Sequence, residues 1–475
     1  MIRTIIRPAA CALALKGSTA LPAAAQEGVE SAIDIQEVTS PGGIEAWLVE
    51  EHSLPFTALE IRFDGGAVLD PEGKEGATNL MMGLLEEGSG DMDARAFQTT
   101  REGLAAQFGF DAGTDTVSVS AQVLTENRGE AMDLLRQALI DPAFNETAVE
   151  RVRAQVQAGI QADAVNPQRI SGRTWFEEAY PGHPIGRPLS GTEESVASLS
   201  RADLHAAHEA AMVRDRIHVG AVGDITPEAL GTLLDDLLGD LPQEGPALPE
   251  AADYALDGGT TVVDFPSPQS VALFGQPGIA RDDDDFFAAY VLNHILGGGG
   301  FESRLMDEVR EKRGLTYGIS TFLSDTEYSE LWLGSVASGN ATIAEALEVT
   351  KAEWADIAEN GVTEEELDQA KTYITGEYPL RFDGNGQIAS ILVGLQMIDL
   401  PPSYVLDRNS YIEAVTLEDV NRVAAELLDP EALHTVVVGQ PEGLEGADHE
   451  AADLPSVLPE PPAAAPETGA SQTTE

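Results

Sequence analysis

One order of elements occurs twice in this chain, and that duplication limits what it can fold into. Period-two alternation of apolar residues predicts strands at Gly43–Glu50 and Ala58–Phe63, then at Thr116–Val123, with a closing apolar strand at Ile217–Val222. The same order returns at Thr260–Phe265, Ser270–Phe274, Tyr328–Val336 and His434–Val438. In both segments long amphipathic helices and a Gly-containing break separate the strands. Antiparallel sheet covered by helices on one side accommodates this order. The expected fold class is therefore α+β, with two homologous α/β-sandwich domains, antiparallel-rich sheets and helices packed on one face. A chain of 475 residues also exceeds what one core supports.

The segments meet at Leu241–Pro249, where Pro242, Pro246 and Pro249 prevent a continuous helix. The expected division is a first domain over 26–240, a linker over 241–259 and a second domain over 260–446. Residues 447–475 are mostly Pro, Ala, Glu, Ser and Thr with little to bury, which predicts a disordered tail. Residues 1–25 run from basic (Arg3, Arg7) through an apolar stretch to small residues ending at Ala25, the layout of a secretory signal. Lys16 interrupts the apolar part, and a disordered cytoplasmic leader is the alternative. A cleaved signal implies a periplasmic or secreted protein. The single cysteine, Cys11, lies in that leader, so the mature chain is expected to have no thiol, disulfide or sulfur metal site. No later segment approaches 18 uninterrupted apolar residues, so no transmembrane segment is expected.

The formal net charge is −54, spread along the chain. Repulsion from phosphates makes nucleic acid a poor partner. A salty habitat or a basic substrate fits this balance, habitat being the plainer cause.

Four places carry candidate chemistry. The stretch 76–87 reads as an amphipathic helix with Ala77, Leu80, Met81, Leu84 and Leu85 on one stripe. Asn79 and Gly83 share another face one turn apart, but Asn is a poor zinc ligand and Gly has no side chain. Gly297, Gly298, Gly299 and Gly300 follow a helical run over Phe286–Leu296 rather than a strand. No Lys-Ser/Thr pair follows them, so a hinge or cleft wall fits better than a phosphate loop. Asp282–Asp285 are expected to cap the Phe286 helix. A helix over Glu302–Lys312 should end at Gly314, with Arg310 in its last turn and Tyr317 opening the next strand. A guanidinium and a phenol meeting at that turn could hold one peptide carbonyl. Alternatively, Arg310 is neutralised by Glu311 or Asp307 and Tyr317 packs on the sheet. His205 and His208, three apart on a helix and followed by Glu209, are a weaker metal pair; His294 has no evident second ligand.

The stretch Leu296–Tyr317, together with the two-segment plan, resembles the insulinase-like (pitrilysin) zinc peptidases of family M16. The similarity is to the short-chain group that includes the mitochondrial processing peptidase, and it covers Gly43–Gln440. In that family an inverted His-x-x-Glu-His motif on the first long helix binds zinc, with a further glutamate about 75 residues downstream. The resemblance places the two histidines on Asn79 and Gly83, the base on Met82, and the distal glutamate near Ala158 or Gly159. All are lost. It places the family's substrate-holding arginine and tyrosine on Arg310 and Tyr317, and a substrate-handling glycine loop on 297–300. It also makes His208 a structural position rather than a ligand. What this implies is a non-catalytic subunit, binding no metal itself, that offers Arg310 and Tyr317 to a zinc-bearing M16 partner acting on a peptide. Rival expectations are a peptide-binding or scaffold protein without a catalytic role, and a lone hydrolase using His205, His208 and Glu209.

Overall fold

The computed structural model describes residues 33–444 and 449–450. The expected signal, Cys11, and all of the expected tail except His449 and Glu450 lie outside the described residues. Two six-stranded sheets organise the chain. The first holds β1 (Ile35–Thr39), β2 (Glu45–Glu50), β3 (Phe56–Asp64), β4 (Gln107–Ala112), β5 (Thr116–Leu124) and β6 (Ile217–Gly223), in the order β1-β2-β6-β3-β5-β4. The second holds β7 (Gly259–Asp264), β8 (Gln269–Pro277), β9 (Thr316–Thr326), β10 (Ser329–Gly339), β11 (His434–Gly439) and β12 (His449–Glu450), in the order β12-β7-β11-β8-β10-β9. Five of the six positions correspond; the outer ones differ, since β1 precedes β2 and runs antiparallel to it while β12 comes last and runs parallel to β7. The late strand enters the middle of its sheet each time, parallel to β2 or β7 and antiparallel to β3 or β8.

Alternation along the strands decides which face meets which helices. In the first sheet Ile61, Phe63, Val117, Val119, Val219 and Ala221 join a core with α1 (Ala77–Met82) and the helices at 128–140, 201–211 and 227–238. In the second, Ala272, Phe274, Trp332, Val336 and Val437 join α4 (Phe286–Asn293) and the helices at 343–360 and 417–427.

The opposite faces are covered by an exchange. Helix α2 (Glu146–Asp163) leads into α3 (Pro167–Ala179), which leaves its own sheet and packs on β8 and β11. There Ile170, Trp175 and Ala179 lie with Leu333, Val436 and Val438. Helix α5 (Asn385–Met397), from the second segment, packs on β3 and β6, burying Ala389 and Leu392 against Val222. Gly220 allows the approach, since a Cβ there would lie 2.5 Å from the Ala389 carbonyl oxygen. Polar pins fix both contacts. The β2–β6 pairing begins at Gly220, and the Gln396 amide pairs with the residue before it, donating to Val219 O at 2.9 Å and accepting from its N–H at 3.3 Å. Glu178 Oε2 lies 3.0 Å from His434 Nε2 and accepts from Thr261 Oγ1 at 2.9 Å.

Several local expectations change. The 76–87 helix is α-helical only over Ala77–Met82, because Gly83 caps it and turns follow. The Phe286 helix becomes π-helical at His294–Gly298, and the Glu302–Lys312 helix starts later and is π-helical over Met306–Glu311. The Lys312 N–H donates to Asp307 O, five residues back, at 2.9 Å. Asp285 does not cap with its side chain; it makes two 2.6 Å bonds to Arg422, which hold its carboxyl below the usual range. β1, β4 and β12 were not foreseen.

Because each segment completes the other's sheet, urea unfolding should be one transition by fluorescence and circular dichroism. Trp175→Ala should cost about 3–5 kcal/mol, and Gln396→Ala about 1–3 kcal/mol by exposing buried peptide groups. Two separated transitions in the wild type would show that the segments fold independently.

Candidate functional site

Helix α1 is anchored at its start by Asp70. This buried carboxylate accepts from Gly76 N at 2.8 Å, Thr78 N at 3.0 Å and Thr78 Oγ1 at 2.6 Å. Burial pushes its pKa up to about 6 despite those donors. Downstream, Met82 is buried in the core, Asn79 is half-buried and Gly83 is exposed. The position expected for a base thus holds a thioether packed among apolar groups. A Cβ on Gly83 would meet Val152 Cγ1 of α2 at 3.3 Å, so the facing helix offers an aliphatic group there. Ala158 and Gly159 are exposed, and a Cβ on Gly159 would have nothing within 4 Å.

The carboxylates after α1 are engaged elsewhere. Glu86 binds Arg101 at 2.7 Å, and Glu87 pairs with Arg151. Among the described residues no group of three or more His, Cys, Asp or Glu could hold a metal ion. Zinc therefore does not fit the residues at this place, since its usual sites need three or four well-placed N, O or S donors. The histidine pair does not replace them. His208 is buried with Nε2 2.8 Å from Leu139 O, its pKa lowered by burial, and the His205 ring lies 4.9 Å from that of Phe144.

The other half of the expected site is differently built. Arg310 and Tyr317 line one open pocket of about 470 Å³, together with Gln269 and Ser338. Arg310 lies in the π turn, its Cζ 4.6 Å from the centre of the Phe301 ring. Its Nε is 3.7 Å from a Glu311 oxygen, and its buried Nη1 has no hydrogen-bond partner among the described residues. Asp307 is 2.8 Å from Lys312 rather than paired with Arg310. Tyr317 is 88% exposed, so it does not pack on the sheet. It opens edge strand β9 beside a register shift between Val336 and Ser338. Of the alternative reading, the Arg310–Glu311 ion pair is present, whereas the packed Tyr317 is not.

Gly297–Gly300 do not make an open loop. A Cβ on Gly297 would lie 2.5 Å from Thr321 Oγ1, so the residue lets the π turn press against β9. Gly298 and Gly299 are equally crowded by Asn293 and His294, and only Gly300, at φ 59°, faces open space. Phe301 follows, 70% exposed. Its role under Arg310 was missed, although an aromatic after a glycine run is a visible signal. The half-buried His294 packs 5.1 Å from the Tyr373 ring, with its pKa lowered by burial.

A duplicated α+β chain with Asn79, Met82 and Gly83 at the places where the resemblance puts zinc ligands and base has the plan of a metallopeptidase family without a metal-holding group among the described residues. The chain belongs to the insulinase family of peptidases, M16. Residues 47–193 match the model described as insulinase (peptidase family M16), and residues 198–374 match that of the peptidase M16 inactive domain. The chain is 25% identical to the non-peptidase homolog YmxG of Helicobacter pylori, over 78% of this chain and 86% of that protein. It is also 25% identical to a probable mitochondrial-processing peptidase subunit beta of Schizosaccharomyces pombe, over 83% and 89%. A crystal structure of a peptidase M16 inactive domain from Pseudomonas fluorescens superposes with a TM-score of 0.80 at 28% identity, covering 86% of this chain and 98% of that one.

Two outcomes follow for this region. Asn79→His, Met82→Glu and Gly83→His together should not yield stoichiometric zinc by elemental analysis, because the facing helix offers Val152 there and supplies no third ligand. Folding raises the Asp70 pKa above its ordinary 3.8, so its stabilising contribution is full below that value and is lost as pH rises through about 6. Relative to Asp70→Asn, the wild type should lose up to about 3 kcal/mol between roughly pH 4 and 6.5 in urea unfolding. A pH-independent difference would show that Asp70 does not titrate in that range.

Proposed function

We propose that this chain is the non-catalytic subunit of a heterodimeric zinc metallopeptidase acting on peptides outside the cytoplasm. The observation that carries the reading is the partly exposed Arg310 sharing an open pocket with the exposed Tyr317, in a chain with no metal-holding group among the described residues. A zinc-bearing M16 partner supplies the metal and its activated water. This chain's residues do the holding. The Arg310 guanidinium and the Tyr317 phenol donate to the carbonyl oxygen being attacked, and the π turn and β9 fix their separation. The exposed edges β4 and β9 offer backbone groups to an extended peptide. The leader at 1–25 supports export to the periplasm or beyond.

The printed name of the Helicobacter pylori relative, a non-peptidase homolog, favours a second reading: a peptide-binding or scaffold protein without a catalytic role. Peptide hydrolysis separates the two when it is measured for this chain, for a zinc-bearing M16 partner and for their mixture. Activity is expected only in the mixture, and Arg310→Ala or Tyr317→Phe should lower kcat about 10²-fold. A mixture indifferent to both substitutions leaves the scaffold reading; zinc-dependent hydrolysis by this chain alone overturns both.

A further inference from the structure

A second pocket, of about 480 Å³, opens where the two halves meet. Three of its lining residues are arginines, in a chain with 81 acidic and 27 Lys or Arg side chains. Arg169 and Arg173 are four apart on α3 and share one face. Their Nε atoms lie 3.6 Å from Asp163 and 3.9 Å from Glu177, beyond hydrogen-bond reach, and those carboxylates are about half exposed. Arg187 donates to Asp70 O at 3.1 Å and lies 3.6 Å from Glu75. Donor capacity thus remains on all three guanidinium forks. Asp115 and Asp163 are the acidic residues of the lining, and Glu177 and Glu75 stand beside Arg173 and Arg187, so the pocket gathers three arginine forks in a strongly acidic chain without being net positive. Ile170, Phe176, Ile185 and Leu189 add apolar wall beside the arginines.

Location gives the pocket its meaning. Thr114 and Asp115 belong to the turn joining β4 to β5, and Thr326 ends β9. Those are the edge strands that face no further strand in either sheet. A peptide extended along either edge is led toward this pocket at one end.

We propose that the pocket is a carboxylate subsite, taking a peptide whose free C-terminal carboxylate or acidic side chain lies next to an aliphatic or aromatic side chain. Planar arginine forks match a carboxylate's two oxygens, and the apolar wall receives the neighbouring side chain. The inference deepens the proposed peptide-holding role, but the binding requires neither metal nor partner.

Fluorescence anisotropy with the purified chain alone tests it, using a labelled extended peptide ending in Leu-Glu with a free C-terminus. Its C-terminal amide and its Glu→Gln analogue separate the two carboxylate sources. Removing whichever carboxylate is read should weaken binding about 10-fold. The double variant Arg169→Gln/Arg173→Gln should abolish that discrimination while leaving the urea midpoint unchanged, because Arg169 is 71% and Arg173 38% exposed. Arg310→Ala should leave the discrimination intact. Equal binding of all three peptides, tighter binding of a Leu-Lys amide, or discrimination that survives the double variant overturns the proposal. None of these readings involves hydrolysis, so an inactive mixture leaves the subsite test unaffected.

Discussion

The exchange of helices between the two sheets is the constraint on which the rest of this structure depends. A sheet with one bare apolar face is unstable in water, and neither segment covers both faces of its own sheet. Trp175 and Ile170 reach across to β8 and β11, while Leu392 and Ala389 reach back to β3 and β6. The Gln396 amide then acts as a fragment of strand just before the β2–β6 pairing begins, and Glu178 ties α3 to His434 and Thr261. These contacts fix the edge β4 relative to the edge β9, and with them the arginine pocket between the halves. Cutting the chain at the proline-rich linker would separate each sheet from one of its covering helices.

Duplication allowed the two halves to diverge within one sheet order. The first half kept α1 as a packing element: Leu80 and Met81 are buried, Asp70 holds its start, and Gly83 ends it within two turns. Asn79, Met82 and Gly83 place no charge at this spot, and Met82 is part of the core. In the second half, two successive helices before β9 each depart from α-helical winding. Such π turns are rare and occur frequently at functional sites. Here the first contains the crowded Gly297 and Gly298, and the second carries Arg310 over Phe301.

Strands with clean alternation were legible: β3, β5, β6, β10 and β11 lie within a few residues of where periodicity placed them. β4 was not, because Gln107-Phe108-Gly109-Phe110 is short and interrupted by glycine at an edge. The π turns were illegible because hydrogen bonding to the fifth preceding residue has no residue signature. The exchange was hidden for a deeper reason. Trp175 and Leu392 announce apolar helix faces, but periodicity cannot say which sheet such a face will cover. Of the site, the lost ligands and the Arg310–Tyr317 pair were found through family resemblance, whereas residue chemistry alone left Arg310 between clamp and surface ion pair. Arg169 and Arg173 were visible as a pair four apart, yet only the fold brings Arg187 to them from beyond α3.

That convergence shows why bulk charge is a poor guide to what a site holds. The acidic residues are spread over the surface, where salt screens a charge beyond about 10 Å at 0.1 M ionic strength. A ligand entering the junction meets first the groups within that distance. There three guanidiniums stand among Asp115, Asp163, Glu75 and Glu177, and the apolar wall lowers the local dielectric and strengthens what the forks can offer. The surrounding negative field still acts during approach, slowing anionic peptides and favouring cationic ones. Encounter and retention therefore pull in opposite directions. A peptide that carries basic residues along its length and a carboxylate at the end reaching the junction satisfies both, without requiring the whole ligand to be of one sign.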